Sequence, residues 1–337
     1  MSLLGPWSAL AGERVFGHLV AVPALYDGLH FAHLRPGSSV ASALDRWAAR
    51  RVVPALRADL EHEPADLVLS IFATGAAAAA RLKAEAPARR TVVLCPDVAA
   101  HRLWVSEGTD LFLVTSAAAA ASVRRFLPRA HVAVIPTPVR PAFYAAPERH
   151  QARAAFGIPL DAPCVLAIDS GWGFGRAADS VERLARAGVH VLAVAGRRPG
   201  LERDFRSLAV GLHSVHPFGF SDRVPELMAA ADIVIALPGA STCAEARVVG
   251  RPLLLVDVMP GHGRDNLLHE LELGGAEVCG PTPADVAAAA LALLDTVPRP
   301  AGRNSDRRTR WEPAFEDAFG HIGLELGRRE LAEAGSR

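Results

Sequence analysis

From Asp66 onward, short apolar runs rich in β-branched residues alternate with alanine-rich stretches, and no other feature constrains the chain as strongly. Leu67–Ser70, residues 91–94, Leu111–Val114 and residues 131–135 read as strands; residues 76–86 and Ala117–Phe126 between them read as helices. Strands alternating with helices of this length predict βαβ units and a parallel sheet. The rhythm breaks at Pro136-Thr137-Pro138-Val139-Arg140-Pro141, where the clustered prolines can continue neither a strand nor a helix. A second series then begins: strands at Cys164–Ile168, 189–195, Ile233–Ala236, 252–256 and Ala276–Cys279, with helices at 177–187, Val224–Ala230, 243–249 and 285–294. The expectation is two doubly wound α/β domains in tandem, residues 1–140 and 141–297. A polar linker and a C-terminal segment, 298–337, follow. In that segment Phe315, Phe319, Ile322 and Leu326 recur at helical spacing within 311–330, which predicts a helix docked on one of the domains.

The 337 residues include 36 basic and 36 acidic side chains, a balance that argues against a general nucleic-acid binder. At 50% hydrophobic and 21% charged, the composition is that of a globular protein with ample core. Cys95, Cys164, Cys243 and Cys279 are scattered beside apolar runs without metal-ligand spacing. They read as buried free thiols in a reducing, cytoplasmic setting. No uninterrupted run of about 20 apolar residues predicts a spanning helix, and no metal site is visible. Residues 42–60 read as a helix with Arg46, Arg50, Arg51 and Arg57 on or near one face. That face is either simply solvated or attracted to an anionic membrane surface or acidic substrate.

Three segments of the second series carry chemistry. Ser170-Gly171-Trp172-Gly173-Phe174-Gly175 follows a strand directly and precedes a helix. It is either a plain turn or a cradle in which backbone amides approach a diphosphate. Pro238-Gly239-Ala240-Ser241-Thr242-Cys243-Ala244-Glu245-Ala246 joins a strand to a helix that Ser241 or Thr242 would cap. Glu245 is expected in the first turn, either as an acid complementing the helix dipole or as a carboxylate holding a ribose diol. Met259 through Asn266 reads as a loop that gathers His262, Arg264, Asp265 and Asn266 at the carboxyl edge of the sheet, where α/β proteins bind ligands.

Taken together, these segments resemble the MurG-like and monogalactosyldiacylglycerol-synthase-like glycosyltransferases from about residue 111 to 294. The resemblance includes residues 135–143, Gly219-Phe220, Glu226 through Asp232, Gly239 through Ala246, and Pro260-Gly261 with Asn266. Pro96-Asp97, His101, Trp104 and Gly108-Thr109-Asp110 extend it into the first domain. It implies two Rossmann-like domains of the GT-B type and inverting transfer from a UDP-sugar, with no cofactor beyond that co-substrate. Gly171, Gly173 and Gly175 would hold the diphosphate and Glu245 the ribose. The chain near Phe220 and Ser221 would read the uracil, with Arg140 nearby, while Ser241 and Thr242 open the donor helix. His262, Asp265 and Asn266 would contact the sugar. Asp97 and His101 would face the cleft from the acceptor side, His101 as general base with Asp97 orienting it.

The pattern departs from the family at two places. Gly17-His18 has neither a preceding strand nor a glycine cluster, so the first domain is expected to be incomplete at its N-terminus and to lack the family's glycine-rich loop. The donor loop reads Asp169-Ser170-Gly171-Trp172 where the family pairs glycines. The expected function is transfer of a hexose or N-acetylhexosamine to a lipid or small-molecule hydroxyl. The expected setting is the cytoplasm or the inner face of a membrane, with a membrane surface and a second subunit admitted as partners and nucleic acid excluded. The alternatives are a catalytically inactive UDP-sugar-binding or partner subunit and a UDP-sugar 2-epimerase.

Overall fold

The structure, a computed structural model, describes residues 39–168, 176–257, 262–296 and 310–324, the side chains of 39–49, 51 and 262 excepted. Helix α1 (Ser39–His62) precedes strand β1 (Leu67–Ser70), helix α2 (Ala73–Leu82), β2 (Arg90–Cys95), a 3₁₀ turn at Arg102–Trp104, β3 (Leu111–Val114), α3 (Ala117–Phe126) and β4 (Val132–Val134). The four strands are parallel and lie in chain order, β1-β2-β3-β4. The arginine-bearing helix expected at 42–60 is α1. Its Arg57 is spent on an ion pair, with Nε 3.0 Å from the Glu85 carboxylate beyond α2.

After the proline-rich linker come α4 (Pro141–Tyr144), α5 (Arg149–Ala155), β5 (Cys164–Ile168), α6 (Ala177–Arg186), β6 (His190–Val194), α7 (Pro199–Gly211), β7 (Val215–Phe218) and α8 (Val224–Ala230). They are followed by β8 (Ile233–Ala236), α9 (Ala240–Val249), β9 (Leu253–Val256), α10 (His262–Leu273), β10 (Ala276–Cys279), α11 (Pro283–Thr296) and α12 (Glu312–Gly320). This second sheet is parallel throughout and ordered β10-β9-β8-β5-β6-β7. The chain starts at its centre, winds outward to β7, then returns to β8 on the other side of β5, which makes the sheet doubly wound.

The α/β class with parallel sheets stands. Only the second sheet is doubly wound among the described residues, because the first advances in one direction. One-directional winding with right-handed crossovers places the connecting helices on one face. Alternate strand residues point to opposite faces. Val93, Cys95, Phe112 and Val114 therefore pack with Ala76, Trp104, Ala119 and Val123. Val92, Leu111 and Leu113 face the other way and are covered by Trp311, Phe315 and Phe319 of the C-terminal segment. Phe315 and Phe319 sit on the buried face of α12, as their spacing predicts, while Leu326 lies outside the described residues.

Asp232 closes the base of the second sheet. Its backbone N–H donates to the Cys164 carbonyl at 2.7 Å, and its Oδ2 accepts from the Cys164 N–H at 2.9 Å. The first residue of β5 is thereby bound to the residue preceding β8. Arg149 and Arg153 each reach the same carboxylate at 2.8 Å. Arg153, 1% exposed, spends its remaining N–H groups on the carbonyls of Ala230, Pro159, Leu160 and Ala162. Arg251 lies beside this cluster. It donates to the Ala229 carbonyl at 2.9 Å, but its Nε and one terminal nitrogen are buried without a partner, and burial lowers its pKa to about 10.

The four cysteines are free and buried, and burial raises every thiol pKa, that of Cys279 to about 11. Among the described residues no helix is long and apolar enough to cross a membrane. Removing one partner from a buried ion pair strands the other's charge. Asp232→Ala is therefore expected to cost about 3–5 kcal/mol in urea unfolding. Arg251→Met, which exchanges two unpaired buried donors for an apolar chain, is expected to leave stability within about 1 kcal/mol of wild type.

Candidate functional site

In an open doubly wound sheet, the loops leaving the central strands diverge to opposite faces and open a crevice at the carboxyl edge. Here those strands are β5 and β8. The loop leaving β5 holds Gly171, Gly173 and Gly175, which lie outside the described residues. The loop leaving β8 runs through Leu237, Pro238 and Gly239 into α9, whose N-cap is Gly239. No side chain caps this helix, so Ser241 and Thr242 do not take the capping role expected of them. The first helical amides have no intrahelical acceptor, and they point at the crevice with the positive end of the helix dipole.

Glu245 is the sixth residue of α9 and stands in the second turn, not the first. Complementing the free amides of the first turn is therefore not its task. It shares a helix face with Ser241, one turn earlier. Burial raises its pKa to about 7, and the guanidinium of Arg140 opposes that rise. Arg140 ends the linker as N-cap of α4, with its guanidinium 5.1 Å from the ring centre of buried Phe143. The structure thus brings Arg140 and Glu245 into one electrostatic neighbourhood.

Phe220 and Ser221 leave the end of β7. The Phe220 ring is 63% exposed and lies under the Arg197 guanidinium, 4.7 Å from its centre. Ser221 Oγ accepts from the Arg223 N–H at 3.1 Å and shapes the entry to α8. Gly219 lies against the Glu202 carboxylate, which a Cβ at this position would push aside.

The segment expected as a polar loop becomes helical at His262. Asp265 and Asn266 therefore stand on the first turns of α10, and the His262 side chain lies outside the description. Asn266 is 4% exposed and its Oδ1 accepts from the Val98 N–H of the first domain at 3.2 Å. Beneath this contact a cavity of about 630 Å³ separates the two sheets. Its first-domain wall comprises Pro96, Val98 and Thr115–Ala117, and its second-domain wall is drawn from α9 and α10. Neither Asp97 nor His101 lines the cavity: Asp97 lies between the lining residues Pro96 and Val98, and the half-buried His101 packs its ring against Trp104 at 6.1 Å.

The cavity contains a feature the sequence did not disclose. Arg247 of α9 pairs with Glu270 of α10, which is 4% exposed. Both line the space, together with His269. The i, i+4 spacing of Asn266 and Glu270 could have pointed to this face had the helix been extended back to His262. Among the described residues no group of three or more His, Cys, Asp or Glu side chains could hold a metal.

A switch-point crevice that faces a second parallel α/β sheet is the arrangement of the two-domain GT-B architecture. Residues 174–277 match the model of the glycosyltransferase family 28 C-terminal domain. Over 211 residues the chain is 28% identical to a probable chloroplastic monogalactosyldiacylglycerol synthase of Glycine max, covering 58% of this chain and 39% of that protein. It is 31% identical, also over 211 residues, to the UDP-N-acetylglucosamine–N-acetylmuramyl-(pentapeptide) pyrophosphoryl-undecaprenol N-acetylglucosamine transferase of Mycolicibacterium vanbaalenii, covering 59% of this chain and 52% of that protein. The match thus spans about half the length of these relatives or less. Among solved structures, the UDP-GlcNAc 2-epimerase of Neisseria meningitidis has a TM-score of 0.60 at 16% identity, covering 82% of this chain and 80% of its own. MurG of Acinetobacter baumannii has 0.50 at 14%, covering 73% and 70%. These structures share the fold.

The ionised Glu245 carboxylate accepts hydroxyl hydrogens at both oxygens with a full charge, whereas the protonated form, favoured below about pH 7, accepts more weakly. Affinity for a ligand whose hydroxyls Glu245 accepts from, measured by calorimetry, is expected to fall below that pH and to level off at the affinity of the neutral form. In Glu245→Gln the affinity is expected to be weak and flat across the same range. The raised carboxyl pKa means that the folded chain holds a proton the unfolded chain has lost between roughly pH 4.5 and 7. Ionised Glu245 therefore lowers stability above pH 7, and Glu245→Gln is expected to melt higher than wild type at pH 8.

Proposed function

We propose that the chain is an inverting glycosyltransferase that moves a hexose or N-acetylhexosamine from a UDP-sugar to a hydroxyl on a lipid or small molecule. The observation that carries this reading is Glu245, a half-buried carboxylate in the second turn of the switch-point helix, freed from any capping role and opposed by Arg140. An acid there suits a ribose diol, and the free amides of α9 suit the adjacent diphosphate. The family 28 match over residues 174–277 covers this helix.

In this reading Glu245 accepts from the ribose hydroxyls, and the exposed Phe220 ring with the Ser221 backbone seats the base. Gly171, Gly173 and Gly175 border the diphosphate. His262, Asp265 and Asn266 lie along the sugar. Amides fixed before the reaction stabilise the charge that develops on departing UDP, since they need no reorganisation. The acceptor enters from the first domain, past the loop that carries Asp97 and His101. His101 takes the hydroxyl proton as that oxygen attacks the anomeric carbon and the bond to UDP breaks.

The test is calorimetric titration with UDP, UDP-glucose, UDP-galactose and UDP-N-acetylglucosamine, followed by an assay of UDP release with diacylglycerol and with soluble glycosides. Micromolar UDP binding with UDP release is the expected result. Glu245→Ala is expected to weaken UDP binding about tenfold or more. His101→Ala is expected to lower turnover about 10²–10⁴-fold while leaving UDP binding unchanged. Binding without turnover would favour a UDP-sugar-binding subunit, and absence of binding would overturn the reading.

A further inference from the structure

The cleft is crossed by a hydrogen bond whose two ends are unusually well braced. On one side, Val98 lies in a loop fixed at successive points: Thr115 Oγ1 donates to the Pro96 carbonyl at 3.2 Å, Ser116 Oγ to the Val98 carbonyl at 3.4 Å, and the Ala100 N–H to Ser122 Oγ at 2.8 Å. On the other side, Asn266 shares a helix face with Glu270, which Arg247 ties back to α9. The Val98 N–H and the Asn266 Oδ1, 3.2 Å apart, are thus held by separate rigid frames. The bond forms only when the frames stand at this separation.

An asparagine amide has an accepting oxygen and two donating hydrogens. The Val98 N–H can only donate, so it must take the oxygen. Both N–H groups of the Asn266 amide are left for other partners at the cavity wall. A sugar hydroxyl or carbonyl accepts from such donors without displacing Val98. One side chain can therefore hold the opposite domain and the donor sugar at the same time.

We infer that Asn266 is a positioning residue that couples recognition of the donor sugar to closure of the cleft, by latching the Asp97 loop through the Val98 N–H. The inference rests on the UDP-sugar reading above for the identity of its ligand but not for the latch. Its consequence is that the sugar, and not UDP alone, favours the closed form. Asp97 is then held at the cleft more firmly when a sugar is bound than when it is not.

Val98→Pro removes the donating N–H and leaves Asn266 intact; Asn266→Ala removes the acceptor and leaves the loop intact. Both are compared with wild type by small-angle X-ray scattering, and by calorimetry with UDP and with the tightest-binding of UDP-glucose, UDP-galactose and UDP-N-acetylglucosamine. Each variant is expected to show a larger radius of gyration, unchanged UDP affinity, and a UDP-sugar to UDP affinity ratio lowered roughly fivefold. Val98→Pro decides the matter if it melts as wild type does, because it lacks no group that touches the sugar. If it does not fold, Asn266→Ala carries the scattering test. A wild-type radius of gyration in the folded variant overturns the latch, and an expanded variant with a wild-type affinity ratio overturns the coupling. Failure of wild type to bind UDP would instead overturn the nucleotide reading, and the scattering result would stand by itself.

Discussion

The carboxylate of Asp232 sets the geometry on which the second domain depends. A doubly wound sheet opens its crevice wherever its two central strands diverge, so their relative register fixes the shape of the site. Asp232 binds the start of β5 through both its backbone and its side chain, and β8 begins at the next residue. The two arginines on that carboxylate also hold α5 and the end of α8. A charged cluster is an expensive way to fill a protein interior, but it can bind several carbonyls and two strand ends at one point. The carboxyl edge of the sheet, at the far end of four- and five-residue strands, inherits that precision.

Precision at that edge matters because the site is built mostly from backbone. The opening amides of α9, the bend at Gly219 and the loop at Val98 all act through main-chain groups, whose positions are set by the elements they end. Side chains of the right chemistry then need few degrees of freedom. Glu245 sits on a helix, Asn266 sits on a helix braced by the Arg247–Glu270 pair, and the Phe220 ring is held under Arg197. Groups locked before a ligand arrives lose less entropy when it binds.

Strand and helix types were legible where short apolar runs alternate with alanine-rich stretches. Ala117–Phe126 and Val224–Ala230 match residue for residue, as do Cys164–Ile168 and Ala276–Cys279. The misses have identifiable causes. β7 reads Val-His-Pro-Phe, and its proline is tolerated because the strand is at the edge of the sheet, a fact about tertiary position. Helix α7, which precedes β7 and opens on Pro199-Gly200, was hidden with it. Helix α10 was read as loop because glycine and proline crowd its start. At the site, residue types and their strand-end positions were visible, whereas the turn that Glu245 occupies was not. That turn depends on where α9 begins, and Gly239 starts the helix earlier than the serine and threonine would. The partnership of Asn266 with Val98 joins residues 168 positions apart, and no local pattern encodes it.

The C-terminal segment returns to the sheet made first. Trp311, Phe315 and Phe319 cover the face of β2 and β3 that the connecting helices leave bare, and the Trp311 indole donates to the Val139 carbonyl in the linker at 3.1 Å. During synthesis the first sheet therefore leaves the ribosome long before its lid does. The second sheet, which draws nothing from α12 for its two core clusters, can close while the first still exposes Leu111 and Leu113. At translation rates of about 5–20 residues per second, the interval lasts on the order of ten seconds or more. The chain is thus completed in the reverse of the order in which it is made. Throughout that interval a holdase chaperone has an apolar sheet face to bind.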